Sequence, residues 1–369
     1  MAKEITVFGS VADADTLQMM IDTRLEKFNT PWYIQYFDFA LPQISLTYSS
    51  VLGNSVITPA ASYVTRDGET PLRSRETLEA MNGKIPPIKV MRDLDEEQYR
   101  NYKVLQEMKG IKDQEKKNQA LKLIWDDMKY VTEAVDKRID LTVAQAISTG
   151  KITITKDNNP DGIVVGDIDL KMPAANKVNA IENWSDATNS KPITDIVNLV
   201  NSASDKGLSF AKMLIDGATL LQFMKSKEVK DTVGTFFGLS AAARNSQTAP
   251  LTIDRINEYM TAAKLPLFEV TDIRVPVEKD GTPTIIKPFE GSNIAFIPDG
   301  KLGEIKNALA MEEMEPVNNV IYAKKGRTLI SKWNQNEPFK EWTKAELNAF
   351  PVVNTIKYIY LLSTTKAFA

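Results

Sequence analysis

The chain has 369 residues, with 48 acidic and 45 basic side chains and a net charge of −3, and it contains neither histidine nor cysteine. Those two absences exclude His-based triads, Cys or His zinc sites, disulfides, thiol nucleophiles and haem ligation through His or Cys. The near balance of charge argues against a chain built to grip nucleic acid, and 43% hydrophobic residues place it among globular proteins large enough for two or three domains.

The opening Met1-Ala2-Lys3-Glu4-Ile5 lacks the basic-then-apolar pattern of a signal peptide. The longest uncharged run, Ala40 to Thr65, is interrupted by Gln43, Ser45, Thr47, Asn54 and Pro59 and is too polar to span a bilayer. A soluble protein without disulfides, made in the cytosol, is expected, with no membrane partner.

Residues 1–57 mix short apolar stretches (Trp32-Tyr33-Ile34, Tyr36-Phe37) with polar ones and keep no helical or strand period. Such an arm is expected to lie along another surface, of its own body or of a neighbour. Residues 58–93 read as an extended loop. Asp67-Gly68, between the flanks Tyr63-Val64-Thr65 and Glu69-Thr70, is a hairpin signal. A second limb, Lys84 to Val90, carries Pro86 and Pro87, which suit an edge strand or a free arm. The stretch from Arg66 to Arg92 is charged and poor in large apolar groups, so it is expected to protrude, and trimming residues 66–90 to leave the body folded.

Residues 94–148 read as helix, with Asp93 and Glu96 as cap and third-position carboxylate and a break at Gly110. Leu121, Ile124, Met128, Val131 and Val135 recur at helical spacing and form one packing stripe, with Asp126, Lys129, Glu133 and Lys137 on a mixed-charge outer face. From Lys112 to Ser148 this spine would run about 55 Å at roughly 1.5 Å per residue. Gly150 in Thr149-Gly150-Lys151 is the expected stop.

Strands are expected at Ile152 to Thr155, Ile163 to Val165 and Asp167 to Met172, with a turn rich in Asn, Asp, Pro and Gly between the first two. Helical period returns at Ile193, Ile196, Val197 and Val200 and from Leu251 to Ala263. Strands follow at Phe268 to Val277, Thr284 to Ile286 and Asn293 to Pro298, with Asp280-Gly281 as a turn, and the apolar tail Val352 to Ser363 should close a sheet. Helices and strands intersperse without a βαβ rhythm, so the expected fold class is α+β.

Chemistry-bearing motifs are weak. Asp157, Asn159, Asp161 and Gly162 imitate the opening of a calcium loop, but Ile168 stands where a bidentate glutamate is required. Gly150-Lys151 resembles the end of a phosphate-binding loop, yet it closes a helix and Ile152 replaces the needed Ser or Thr. The pairs Asp126-Asp127 and Glu312-Glu313 diverge by about 100° on a helix and read as solvated faces. Arg66, Arg73, Arg75 and Arg92 are interleaved with Asp67, Glu69, Glu76 and Glu79, which suits a charged surface for another protein better than a phosphate site. No catalytic residue, metal or cofactor is expected.

The order of parts resembles the major capsid protein E family of tailed phages, the lambda-type branch of the Hong Kong 97-type shell fold. The likeness rests on Asp140-Leu141-Thr142-Val143-Ala144-Gln145-Ala146-Ile147-Ser148-Thr149-Gly150-Lys151 and on Asp167-Ile168-Asp169-Leu170 with Pro173. Trp184-Ser185, Pro192-Ile193-Thr194-Asp195-Ile196 and Asn293-Ile294-Ala295-Phe296-Ile297-Pro298-Asp299-Gly300-Lys301-Leu302-Gly303 continue it. The resemblance implies an α+β shell subunit with an N-terminal arm (1–57), an extended loop (58–93), a peripheral domain with the spine helix (94–190), an axial domain (191–335) and a C-terminal return to the peripheral domain (336–369). Inter-subunit contacts are expected from Arg66, Asp67, Glu69, Arg73, Arg75, Glu76, Lys84, Lys89 and Arg92. The implied partners are further copies in hexamers and pentamers, a scaffolding protein, a portal, a decoration protein in some relatives, and packaged DNA touched without sequence preference. A nanocompartment shell and a carboxylate-dependent α+β enzyme stand as the competing readings.

Overall fold

The computed structural model describes residues 6, 8, 12–52, 79–107, 113–240, 251–366 and 368. The opening segment is ordered against its own chain. Helix α1 (Ala14–Thr23) starts at Asp13, whose carboxylate accepts the Thr16 amide at 2.7 Å, and it buries Leu17, Met20 and Ile21. A short 3₁₀ turn at Trp32–Gln35 leads into β1 (Phe37–Phe39), which pairs in parallel with β13 (Gly303–Ala308). Of the two surfaces expected to receive it, the described part of the opening segment lies on its own body, with regular structure where no period was legible in the sequence. The aromatic residues that masked any period, Tyr33, Tyr36 and Phe37, are each buried in the largest core.

Strand β2 (Thr47–Leu52) pairs with β3 (Glu79–Lys84), and β4 (Pro87–Asp95) follows directly. The Asp67-Gly68 turn lies outside the described residues. β4 lies along one side of the 13-residue β16 (Lys340–Val352), so the second limb of the extended loop belongs to the body. Ile85, between the two strands, is 2% exposed. Trimming 66–90 would thus remove core and sheet, contrary to the sequence expectation. The prolines are accommodated because Pro86 precedes β4 and Pro87 is its first residue, and β16 is its only strand partner among the described residues.

Strand continues to Asp95, beyond the expected helix start. Helix α2 (Glu96–Glu107) is capped by Asp95, which accepts the Gln98 amide at 2.8 Å while Gln98 Oε1 accepts the Asp95 amide at 3.3 Å. Asp93-x-x-Glu96 and Asp95-x-x-Gln98 both satisfy the capping pattern, and the pairing of β4 with β16 selects the later one. Gly110 lies outside the described residues. Helix α3 (Asp113–Thr149) spans 37 residues, and Gly150 ends it at φ +73°, its amide bonded to Ala146 O.

β5 (Lys151–Ile154) pairs with β6 (Gly166–Asp169), not with Ile163 to Val165. Those three residues have strand propensity but stay more than half exposed, because Gly166, at φ +77°, begins the ladder after them. β7 (Lys177–Asn179), α4 (Pro192–Ser204), β8 (Lys212–Ile215), α5 (Gly217–Lys225), α6 (Lys227–Phe236) and α7 (Ile253–Ala262) precede β9 (Leu267–Val270). The expected strand Phe268 to Val277 is two strands in different sheets. β9 pairs with β8, while β10 (Val275–Lys279) forms a hairpin with β11 (Thr282–Ile286) around Asp280 and Gly281, both at positive φ.

The remaining elements are β12 (Asn293–Ile297), α8 (Met311–Met314), β14 (Ile321–Lys325), β15 (Thr328–Gln335) and β17 (Tyr360–Ser363). Two main sheets result. In the first, β16 takes β4 on one side, with β15 and then β13 in succession on the other; β14 and β1 lie outside these. The second has the order β7-β17-β12-β8-β9. The boundary expected at 335/336 falls inside the β15–β16 hairpin, and β17 joins the second sheet between β12 and β7, the latter within residues 94–190. The hairpin spans that boundary because the chain crosses between the sheets twice after residue 293, which local pattern does not reveal.

Candidate assembly surfaces

The spine helix α3 joins the cores. Ile124 and Met128 are buried with Leu17, Met20, Ile21 and Phe28, whereas Val131 and Val135 belong to the largest core; Leu121 is half-buried. Leu141 packs with Val275 and Val277 of the β10–β11 hairpin. The expected charged outer face is confined to the first half of the helix, where Asp126 is exposed. From Ile139 to Ser148 the helix is apolar nearly all round and buried on most sides.

Acidic side chains of α3 hold the opening segment. Glu133 accepts the Asn29 amide at 2.9 Å, Asp140 accepts the Tyr33 amide at 2.8 Å, and Asp136 accepts the Tyr33 hydroxyl at 3.2 Å and pairs with Lys325 at 2.8 Å. Burial pushes the Asp140 carboxyl up to about 6 and, less counteracted by the Tyr33 and Trp32 amides, the nearby Asp136 charge adds to it. Burial likewise raises Asp136, against the pull of Lys325, and raises the Tyr33 phenol. Glu133, expected on the outer face, is instead part-buried against Asn29, and the inward roles of Asp136 and Asp140 were not read from the sequence, although both flank the apolar stripe.

Of the nine residues expected at subunit contacts, Arg66, Asp67, Glu69, Arg73, Arg75 and Glu76 lie outside the described residues. Lys84 is exposed on β3 opposite Thr47. Lys89 and Arg92 bind their own chain: Lys89 pairs with Glu346 at 2.9 Å, and Arg92 lies 3.3 Å from Asp127 and over the Tyr130 ring. Glu346 also takes Lys344 at 2.7 Å, which reaches Glu312 at 2.9 Å. Its bond to Lys344 holds the Glu312 carboxyl below the usual range. Deep in the first sheet, Lys332 and Glu341 form a pair at 2.8 Å with almost no exposure.

The carboxylate pairs diverge. Glu312 goes to Lys344 and Glu313 to Lys324, while Asp126 faces solvent and Asp127 faces Arg92. The loop containing Asp157 is held by Asn158, which accepts the Thr155 amide and donates to Thr153 O. Among the described residues, no group of three acidic side chains is arranged to hold a metal ion, and no helix is long and apolar enough to cross a membrane.

What the surface does offer is unpartnered apolar area. Leu41 and Ile44 are 85% and 72% exposed on the strap after β1, and Met311, beyond the backbone bond from Leu309 to Gln43, is 65% exposed. Exposed apolar groups clustered in this way mark surfaces that another protein covers. A cavity of about 370 Å³ opens between the start of β4, α3, the β5–β6 ribbon and the end of β16.

The fold is shared with a crystal structure described as a capsid protein of a prophage from E. coli CFT073, at TM-score 0.58 and 16% identity, covering 95% of this chain and 99% of that one. A phage-related protein from Bordetella bronchiseptica RB50 aligns at TM-score 0.53 and 12% identity over the whole of both chains. The class the fold defines is that of the α+β phage capsid proteins. The chain belongs to the phage major capsid protein E family, whose model matches residues 36–363. No curated protein sequence matches it. Its role is that of a bacteriophage major capsid protein, a structural component of the virion that assembles into the capsid.

Proposed function

We propose that the chain builds the icosahedral or prolate head of a tailed phage around double-stranded DNA, as hexamers and pentamers of a Hong Kong 97-type subunit. In this reading the first sheet and α3 form the peripheral domain, and the second sheet with α4 to α7 forms the axial domain about the symmetry axes. Arg66, Asp67, Glu69, Arg73, Arg75 and Glu76, with exposed Lys84, meet neighbouring subunits. A scaffolding protein and a portal take part in assembly in the host cytoplasm.

The observation that carries the reading is the family match over residues 36–363, most of the chain. Many modest contacts repeated by symmetry sum to a stable closed wall, which suits a subunit with apolar side chains exposed on the strap after β1. The test is expression of the full chain, alone and with the scaffolding protein of the same phage, followed by electron microscopy. Closed particles with hexameric and pentameric units are expected. A monodisperse monomer under both conditions would overturn the proposal.

A further inference from the structure

The segment from Phe28 to Tyr36 crosses α3 over two acidic residues one helical turn apart. Asp136 and Asp140 lie on one side of the helix and are 8% and 9% exposed. Together they bind the segment at both ends of Tyr33: Asp140 takes its amide at 2.8 Å and Asp136 its hydroxyl at 3.2 Å. Nearer the solvent, Glu133 takes the Asn29 amide at 2.9 Å.

The cations around this pair are unevenly placed. Lys325 on β14 touches Asp136 at 2.8 Å and lies over the Phe28 ring. Lys129, on α3 itself, is 3.7 Å from Glu133. Asp140 makes no ion pair among the described residues; Lys137 acts on it from beyond contact, and the Tyr33 and Trp32 amides are its donors. Two like charges taken out of water with a single lysine in contact repel each other, and a proton on either one relieves the repulsion. Burial and the neighbouring Asp136 charge push Asp140 up to about 6, and burial raises Asp136 as well, while Glu133 adds to that rise. The Tyr33 phenol, raised by burial, keeps its proton throughout this range.

We propose that Asp136 and Asp140 form a proton-operated latch on the opening segment, holding residues 28–36 against α3 when one of the two carboxyls is protonated and loosening when both are ionised. Lifting the segment returns both groups to water, where an aspartate titrates near 4. Docking therefore takes up a proton between these limits. It is tightest below about pH 4, weakens as pH rises to 6 and levels off above, by up to about 100-fold for a difference of roughly two units. The latch needs only this chain's own fold and does not depend on the shell reading.

Hydrogen–deuterium exchange of the purified full chain from pH 4 to 8, corrected for the intrinsic pH dependence of exchange, tests this. Amides from Asn29 to Tyr36 are expected to exchange through an opening of their own, at pH 8 at least about tenfold more frequent than the opening that exposes β12. The frequency of that local opening should rise up to about 100-fold between pH 4 and 7. Asp140→Asn keeps an acceptor for the Tyr33 amide and should remove most of the rise, whereas Glu133→Gln should retain it. Exchange of the segment only in step with β12 would overturn the latch, since the carboxyls would then act on global stability alone. So would a local opening that ignores pH, a rise that survives Asp140→Asn, or one abolished by Glu133→Gln, which would assign it to the charge of the helix as a whole. Should Asp140→Asn fail to fold, the wild-type pattern and Glu133→Gln decide.

Discussion

The side-chain amide of Gln18 spans the peptide groups of Lys324: Oε1 accepts the Lys324 amide at 2.8 Å and Nε2 donates to its carbonyl at 3.0 Å. Lys324 is in β14, at the edge of the first sheet, and Gln18 reaches it from α1 as an adjacent strand would. Asn257 on α7 does the same at the edge of the second sheet, bonding the Phe268 amide at 2.9 Å and its carbonyl at 3.0 Å. An open edge strand invites pairing with another chain, and in a protein concentrated into a shell that hazard is severe.

Replacing Gln18 with alanine should therefore cost about 1–2 kcal/mol of stability for the two lost bonds, and should raise light scattering and thioflavin fluorescence of the purified protein. Adding Lys324→Pro removes the outward donor without touching the β14–β15 ladder and should restore solubility. Persistent aggregation in the double variant would show that the edge is not the route.

Asp140 sets a pH dependence of stability. Its folded pKa of about 6 exceeds the value near 4 expected for an unfolded aspartate, so the folded state binds the extra proton between these limits. The associated stability is present below about pH 4 and is lost as pH rises through 6. Asp140→Asn keeps an acceptor for the Tyr33 amide and abolishes the cost of the buried charge. It should be more stable than wild type at pH 8 by about 1–3 kcal/mol, the difference shrinking towards pH 4, as read by denaturant melts across pH.

Gly303 is needed for close approach of β13 to β16. A Cβ there would stand 2.0 Å from the Val352 carbonyl oxygen and 2.8 Å from the Phe37 ring. Gly303→Ala should force the strands apart at the end of the sheet that also holds β1, at a cost of about 2–4 kcal/mol, measured by thermal unfolding. Gly281→Ala, where nothing lies within 4 Å of the new atom but φ is +75°, should cost only about 1 kcal/mol.

Val131 is fully buried where the spine stripe passes into the largest core. Val131→Asp would bury an unpaired carboxylate and should cost about 3–5 kcal/mol, detected as a large loss of melting temperature at pH 7. The loss should be smaller near pH 4, where that carboxylate is protonated. An unchanged melting temperature would show that this face does not pack.

Much of the fold after residue 148 was written locally. The helical period around Ile193 and Ile196, the Asp280-Gly281 hairpin, the run Asn293 to Ile297 and the glycine stop of the spine all depend on neighbours within a few residues, and each appears where local chemistry requires it. The candidate surfaces were far less legible. Asp136 and Asp140 read in sequence as two more charged residues of the spine, and nothing within a turn of helix points to Tyr33 as the residue they hold. Lys89 and Arg92 carried the same signal as their neighbours in a charged stretch, yet β4 delivers them to Glu346 and Asp127, far along or across the chain.

By itself, the sequence determined the α+β class, the long spine with its packing stripe and the absence of His and Cys chemistry, because these follow from composition and period, while its quoted motifs carried the resemblance to a capsid family. Only the tertiary structure decided that the opening segment docks on its own spine, that β4 enters the first sheet and that β17 joins the second. Those outcomes depend on pairings across tens to hundreds of residues, in which burial and hydrogen bonding select one partner among several with equal local propensity.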